Sequence, residues 1–393
     1  MNILVIGNGF DLAHGLPTKY GDFLDFVHAF KMYQKYLDFF NDSDEKQHAK
    51  KQSWLNYFKE IDENKNELVN EITQLINDNS WVKYFLELWH RKQVLSKEKG
   101  WIDFECEISK IIQELDEAYT YKEEKVRNGE KPVFSEGCRH LWSNIYSIVR
   151  YVAKASPDNT DTRKECYTSD FTLDDMNCIK KSLIYDLDRL TRLLEIYLSD
   201  YISYEKSEPL DIIKNLSIDR VLSFNYTDTY QRLYANSPES KVQYCFIHGK
   251  AKIGCNTDDC DLVLGIDEYL PEQLKDSNNR FVEFKKFYQR IYKMTSSQYI
   301  NWAEERAEFI KRMPKASNPP ELNIYIYGHS LDVTDKDVLK KLILTEGAQT
   351  IIFYHSKEAL GSQIANLVKV IGEEELIKRT GGNKRTIRFR PAF

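Results

Sequence analysis

The chain lacks what a membrane protein, a disulfide scaffold or a nucleic-acid binder would need. None of its 393 residues falls in an apolar run approaching the about 18 that cross a bilayer. Residues 2–6 are too few for a signal-peptide core and not preceded by positive charge, and a cytoplasmic protein is expected. There is no excess of basic residues: 55 Lys and Arg face 61 Asp and Glu, a net charge of −6. That balance disfavours nucleic acid or an anionic membrane as partner. Cysteine is sparse, odd in number at seven, and forms no C-x-x-C pair, which reads as reduced thiols. Cys255 and Cys260 have half the spacing of a metal site, but no second half follows, so no metal is expected. Internal repeats and low-complexity tracts are missing. So is the Gly-x-Gly-x-x-Gly of hydride-transfer enzymes, because Leu12 stands where the third glycine would be and the next glycine is Gly15.

What the chain does have is aromatic and aliphatic material for a large core, with 25 Tyr and 20 Phe. Its length suits two domains, or one domain with a large insertion. It opens with Ile3-Leu4-Val5-Ile6, a short strand buried on both faces, followed at once by Gly7-Asn8-Gly9 and then by a helical period beyond Pro17 and Thr18. Strand, glycine turn and helix make the phosphate-binding corner of a doubly wound fold, although a tight turn with no ligand has the same local pattern.

From Lys19 to about Leu210 the pattern is helical with almost no strand signal. The cleanest stripe is Leu183, Leu187, Leu190, Leu193, Leu194 and Tyr197, expected to be inter-helix core. Two polar stretches, 121–132 and 156–163, read as exposed connections. From Ile218 short β runs appear at 220–224, 242–247, 261–265, 322–327, 350–354 and 386–389. Helices are expected at 271–313, 336–344 and 361–371. This alternation predicts an α/β fold with a mostly parallel sheet. Strand one has no sequence neighbour until residue 220. The sheet domain is therefore expected to comprise 1–18 and 211–393, with 19–210 an all-helical insertion between strands one and two.

In such a sheet, functional residues gather past the carboxyl ends of the strands. Four runs end in polar or glycine clusters: Gly7-Asn8-Gly9-Phe10-Asp11, Asn225-Tyr226-Thr227-Asp228, His248-Gly249-Lys250, and Gly328-His329-Ser330-Leu331-Asp332 with Asp335 close behind. Glycine turns expose N–H groups to a diphosphate. Ser330 or Asp332 can accept ribose hydroxyl protons. His248 is a candidate general base, because imidazole titrates near neutrality. Asn225 can orient a water or a carboxamide with both a donor and an acceptor. His and Asn beside a ribose suit cleavage of a glycosidic bond at C1′ better than hydride transfer. Asp103 has two readings: a helix N-cap after Trp101, or, with Glu105, a carboxylate presented to the nucleotide.

Taken together, these blocks resemble the AbiH family of phage abortive-infection proteins, end to end in order and spacing. The blocks are Gly7 to Thr18, Phe224-Asn225-Tyr226-Thr227, Ile247-His248-Gly249 and Tyr327-Gly328-His329-Ser330-Leu331-Asp332. Trp101-Ile102-Asp103-Phe104-Glu105 looks like part of the same pattern. More distantly the blocks resemble the sirtuin-like superfamily, which implies a Rossmann-type fold with NAD as ligand or substrate. Superfamily members in phage defence hydrolyse NAD with an Asn and a His, which map here to Asn225 and His248. The nucleotide-binding positions implied are Gly7, Asn8, Gly9, Phe10, Asp11, Gly15, Pro17, Thr18, Asp228, Gly328, His329, Ser330, Leu331 and Asp332. Asn8 and Asp11 depart from the sirtuin pattern, Thr227 stands where relatives carry Asp, and the zinc-ribbon cysteines are missing, so protein deacetylation is not expected. The resemblance implies an NAD glycohydrolase in abortive infection. The alternative is a non-catalytic NAD or ADP-ribose sensor whose helical block is an interaction or effector surface. Either leaves room for a phage-derived or other protein trigger and for a homo-oligomer.

Overall fold

A computed structural model describes residues 1–35, 45–95, 102–128, 173–235, 241–254, 256–313, 321–383 and 385–392. Trp101, the 156–163 stretch and the end of the 121–132 stretch lie outside these, as do Cys138, Cys166 and Cys255. The chain forms two compact units: Met1–Thr18 with Glu205–Ala251 and Lys293–Phe393, and Lys19–Tyr204 with Lys252–Tyr292. Residues 252–292 thus group with the helical unit and not with the sheet domain expected over 211–393.

The first unit is built on a six-stranded sheet. Its strands are β1 (Asn2–Ile6), β2 (Arg220–Ser223), β3 (Gln243–Phe246), β4 (Leu322–Tyr327), β5 (Ala348–Tyr354) and β6 (Ile387–Pro391). All neighbours pair in parallel, in the order β3-β2-β1-β4-β5-β6. The order runs outward from β1 in both directions, so the winding reverses between β1 and β4. Ligands of open α/β sheets bind outside the carboxyl ends of the strands at such a reversal. Register brings the strand ends level there: Ile6 pairs with both Ser223 and Tyr327, and Ser223 with Phe246. The four polar clusters therefore share one edge.

β1 reads as an unbroken apolar run because both of its faces are covered. Ile3 and Val5 join one core cluster, Leu4 and Ile6 the other. The helix Lys336–Ile343 buries Val338, Leu339, Leu342 and Ile343. The helix Lys357–Ile371 begins four residues before the expected Gly361, because the Ser356 hydroxyl accepts the Ala359 N–H and caps it.

Among the described residues of 19–210 no strand occurs. The helices are Tyr20–Tyr33, Glu45–Asn64, Asn66–Ile76, Ser80–Leu95, Phe104–Arg127 and Leu173–Ile196, followed by the π turn Tyr197–Tyr201 and the short turns Ile202–Tyr204 and, in the sheet unit, Asp211–Lys214. The stripe from Leu183 to Tyr197 is buried, as expected. Two expectations fail. Residues 261–265 are not a strand. Leu262, Val263 and Leu264 are fully buried, but the only bridge nearby joins Ile266 to Lys285. A Cβ on Gly265 would lie 2.8 Å from the Lys286 nitrogen, so this run packs on the backbone of 284–286 rather than pairing in the sheet. Apolar, β-prone composition produced burial without a ladder. Nor is 271–313 continuous helix: it is helical at Lys286–Tyr292 and Gln298–Arg312, and Met294 between them takes a left-handed φ of 51°.

Candidate functional site

The turns after β1 and β4 are locked backbone to backbone. Gly7 N–H donates to Tyr327 O at 3.3 Å, and Gly9 N–H to Gly328 O at 2.8 Å. Gly328 has φ of +68°, and a Cβ there would lie 2.1 Å from the Phe10 nitrogen. A Cβ on Gly7 would lie 2.8 Å from Gly328 O. This contact requires the glycines, and it engages the Gly7 and Gly9 N–H groups, the ones expected to face a diphosphate. Phe10 is fully buried core, in edge contact with the Tyr327 ring. Asn8 Oδ1 accepts the Thr18 hydroxyl at 2.7 Å, closing the loop that contains Gly15 (φ +74°) and half-buried Pro17.

Asp11 points inward, to the end of β2. It is 1 % exposed, and its Oδ2 accepts the Thr227 hydroxyl at 2.6 Å. The Thr229 hydroxyl donates on to Thr227 at 3.2 Å. Burial drives the Asp11 pKa up to about 6, against the hydrogen bonds of Thr227 and Thr229 and the Arg232 charge, which favour ionisation. Asn225 is 5 % exposed, its backbone gripped by the Ser223 hydroxyl. Asp11 Oδ1 and Asn225 Nδ2 are both buried and neither completes a hydrogen bond within the protein, although the Asn225 amide lies close enough to favour the ionised carboxyl. Thr227 and Thr229 join the site through Asp11, a pairing across 216 residues that no local pattern signals.

Beside this lies a second buried group. His248 Nε2 is 3.4 Å from Asp335 Oδ1, and His329 Nε2 is 3.4 Å from Asp335 Oδ2. The ring of Phe224 lies against both histidines, its centroid 5.8 Å and 4.4 Å from theirs. Burial alone would raise the Asp335 pKa. Hydrogen bonds and charge from His248 and His329 outweigh it and hold the carboxyl well below its usual range. The β4 turn that delivers these residues is tightly built. Leu331 is fully buried core at a left-handed φ of 60°, and its N–H donates to His329 Nδ1 at 2.9 Å. Gln363 donates to His329 O, Asn366 to Ser330 O, and Asp332 caps the short turn Val333–Asp335 through Thr334 N–H. Asp228 is less buried, 3.5 Å from Lys250 Nζ.

The predicted residues thus divide by task. Asp11, Asn225, His248 and His329 present buried polar groups at the strand ends. Gly7, Gly9, Gly328, Phe10 and Leu331 are scaffold. Asn8, Thr18 and Asp332 hold loops. Asp335 was noted in the sequence only as a neighbour of the β4 cluster, and its place between two histidines is set by the fold. His14, unassigned in the sequence, is a staple: Nδ1 donates to Phe10 O and Nε2 accepts from the Tyr234 hydroxyl, both at 2.7 Å. Tyr234 also accepts Leu210 N–H at 2.7 Å.

In the helical unit, Asp103 is an N-cap, its carboxylate accepting Cys106 N–H at 3.0 Å. Glu105 pairs with Lys286, and Glu107 with Lys110 and Lys92. No group of three or more metal-ligating side chains occurs among the described residues.

No curated protein and no solved structure matches the chain. A family model described as bacteriophage abortive infection AbiH matches residues 3–355, a span holding all four strand-end clusters and Asp335. The chain belongs to the AbiH family of bacteriophage abortive infection.

Proposed function

We propose that the sheet unit is a Rossmann-type, sirtuin-like nucleotide-binding domain, with the helical block as its insertion, that hydrolyses NAD during abortive infection. Water adds to C1′ of the nicotinamide ribose, the glycosidic C–N bond breaks with its electron pair going to nicotinamide, and the water's second proton is released. The products are nicotinamide, ADP-ribose and one proton. His248 takes the proton from water, and Asn225 orients the water or the ribose.

The observation that carries this reading is the pair of buried, unsatisfied atoms Asp11 Oδ1 and Asn225 Nδ2 at the edge that also holds His248. Buried polar atoms are nearly always hydrogen-bonded, so this acceptor and this donor, near one another yet without a completed bond, suit a ligand or water that supplies the missing partners. The strand order 3-2-1-4-5-6 is that of dinucleotide-binding sheets, which further supports the reading. Because the Gly7 and Gly9 N–H groups are engaged, the glycine turn acts in this reading as the seat of Asp11 and not as the diphosphate cradle.

The test incubates the purified full chain with NAD, alone and with extract from phage-infected cells, and follows nicotinamide by chromatography. Release that disappears in His248→Ala, with NAD still raising the Tm, supports hydrolysis. No nicotinamide under either condition refutes it. A second reading is favoured by the burial of His248 and Asn225, each 5 % exposed: a sensor that closes on NAD or ADP-ribose without catalysis. It expects a Tm that climbs with ligand concentration while the ligand is recovered intact.

A further inference from the structure

Two histidines face one carboxylate, and their other nitrogens make them unequal. His329 Nδ1 accepts the Leu331 N–H at 2.9 Å, so that nitrogen must carry a lone pair. The ring proton of His329 therefore sits on Nε2, the atom 3.4 Å from Asp335 Oδ2. Leu331 cannot easily turn its N–H away. It is fully buried and held in a left-handed conformation that a leucine adopts only under constraint from its surroundings. Gln363 pins the same turn through His329 O. A proton on Nδ1 would break the bond from Leu331, so that bond holds the lone pair of His329 on Nδ1.

The other carboxylate oxygen, Oδ1, lies 3.4 Å from His248 Nε2. A carboxylate held ionised can only accept. That oxygen is buried and completes no hydrogen bond within the protein, so a proton on His248 Nε2 supplies the donor it lacks and leaves the lone pair on Nδ1. When Nδ1 takes up a proton, the new imidazolium faces a buried anion.

We propose that Asp335 is the positioning residue of the site: shared between His248 and His329, it orients the His248 ring, holds its proton on Nε2 and leaves Nδ1 as the basic atom. The assignment rests on the reading of His248 as the general base. It adds a residue outside the His–Asn pair and gives His329 a role distinct from ligand binding: it occupies one carboxylate oxygen and so confines His248 to the other.

The experiment is histidine side-chain nitrogen NMR on the 15N-histidine-labelled full chain at mildly alkaline pH, where free imidazole is neutral. His248 and His329 signals are assigned by their loss in His248→Gln and His329→Gln. Both rings are expected to show a bare Nδ1 and a protonated Nε2. In Asp335→Asn, His248 is expected to shift toward the opposite tautomer. Nicotinamide release should fall about a hundredfold or more with KM little changed, the scale of a positioned general base, and Asp335→Glu should recover part of it. A wild-type His248 protonated on Nδ1 overturns the assignment without any variant. An Asp335→Asn protein that folds, judged by circular dichroism, and keeps both tautomer and rate overturns it too. The tautomer is read without NAD, so a wild type with the stated tautomers but no nicotinamide release refutes hydrolysis and leaves the positioning of His248 by Asp335 standing.

Discussion

Asp11→Asn removes a carboxyl that is 1 % exposed and whose pKa burial has raised from 3.8 to about 6. A shift of about two units corresponds to roughly 3 kcal/mol between the protonated and ionised forms. The sign follows from proton binding. Between about pH 4 and pH 6 the folded protein holds a proton on Asp11 that the unfolded chain has released, so this group makes stability fall as pH rises. The full penalty is present above the folded pKa and absent below the unfolded one. An asparagine keeps a carbonyl for the Thr227 hydroxyl but never ionises. Its amide adds a buried donor, whose cost does not depend on pH. The stability of Asp11→Asn minus that of the wild type should therefore rise by about 2–3 kcal/mol between pH 4 and pH 8, with most of the change between the two pKa values. His14 works the other way: burial lowers its pKa, so acid destabilises the fold through it, and that contribution cancels in the difference. The assay is urea unfolding of both proteins across that pH range, followed through the transition of the sheet unit. A difference that stays flat, or falls with pH, would refute the placement of Asp11 as a buried, desolvated carboxyl.

Gly328→Ala forces a Cβ to within 2.1 Å of the Phe10 nitrogen at a φ of +68°. The left-handed strain of about 1–2 kcal/mol adds to an overpacking cost of about 1–3 kcal/mol, for a loss of about 2–5 kcal/mol in urea unfolding. A loss under about 0.5 kcal/mol, the range of ordinary surface changes, would mean that the two turns are not in contact. Tyr234→Phe strips the partner from both His14 Nε2 and Leu210 N–H and should cost about 1–3 kcal/mol. If Tyr234→Phe unfolds at the wild-type urea midpoint, the His14 staple is not formed.

The sequence by itself determined where β1 and β4 stop and which polar residues lie just past the strand ends. Ile3-Leu4-Val5-Ile6 is an apolar run ended by glycine, continuous because neither face meets water, and Leu322 to Tyr327, apolar but for Asn323, also ends at a glycine. Strand-end chemistry was legible for the same reason: Asn225, His248 and His329 stand just past apolar runs, and parallel register alone brings such positions to one edge. The N-cap of Asp103 is equally local, since donor and acceptor are three residues apart.

Only the tertiary structure decided what those residues touch. Gly7 and Gly9 signal a close approach, but whether a phosphate or another backbone approaches depends on Gly328, more than 300 positions away, and backbone fills the space. Asp11 stands in the sequence only as a departure from the sirtuin pattern, and the fold decides that it turns into the protein to meet Thr227. Residues 261–265 had the composition of a strand, yet composition sets burial while pairing needs an open edge, and these residues lie in the other unit. Asp335 is the sharpest case. Nothing in the spacing of His248, His329 and Asp335 says that one carboxylate serves both rings, because periodicity records which face a residue occupies and not which distant side chain shares it.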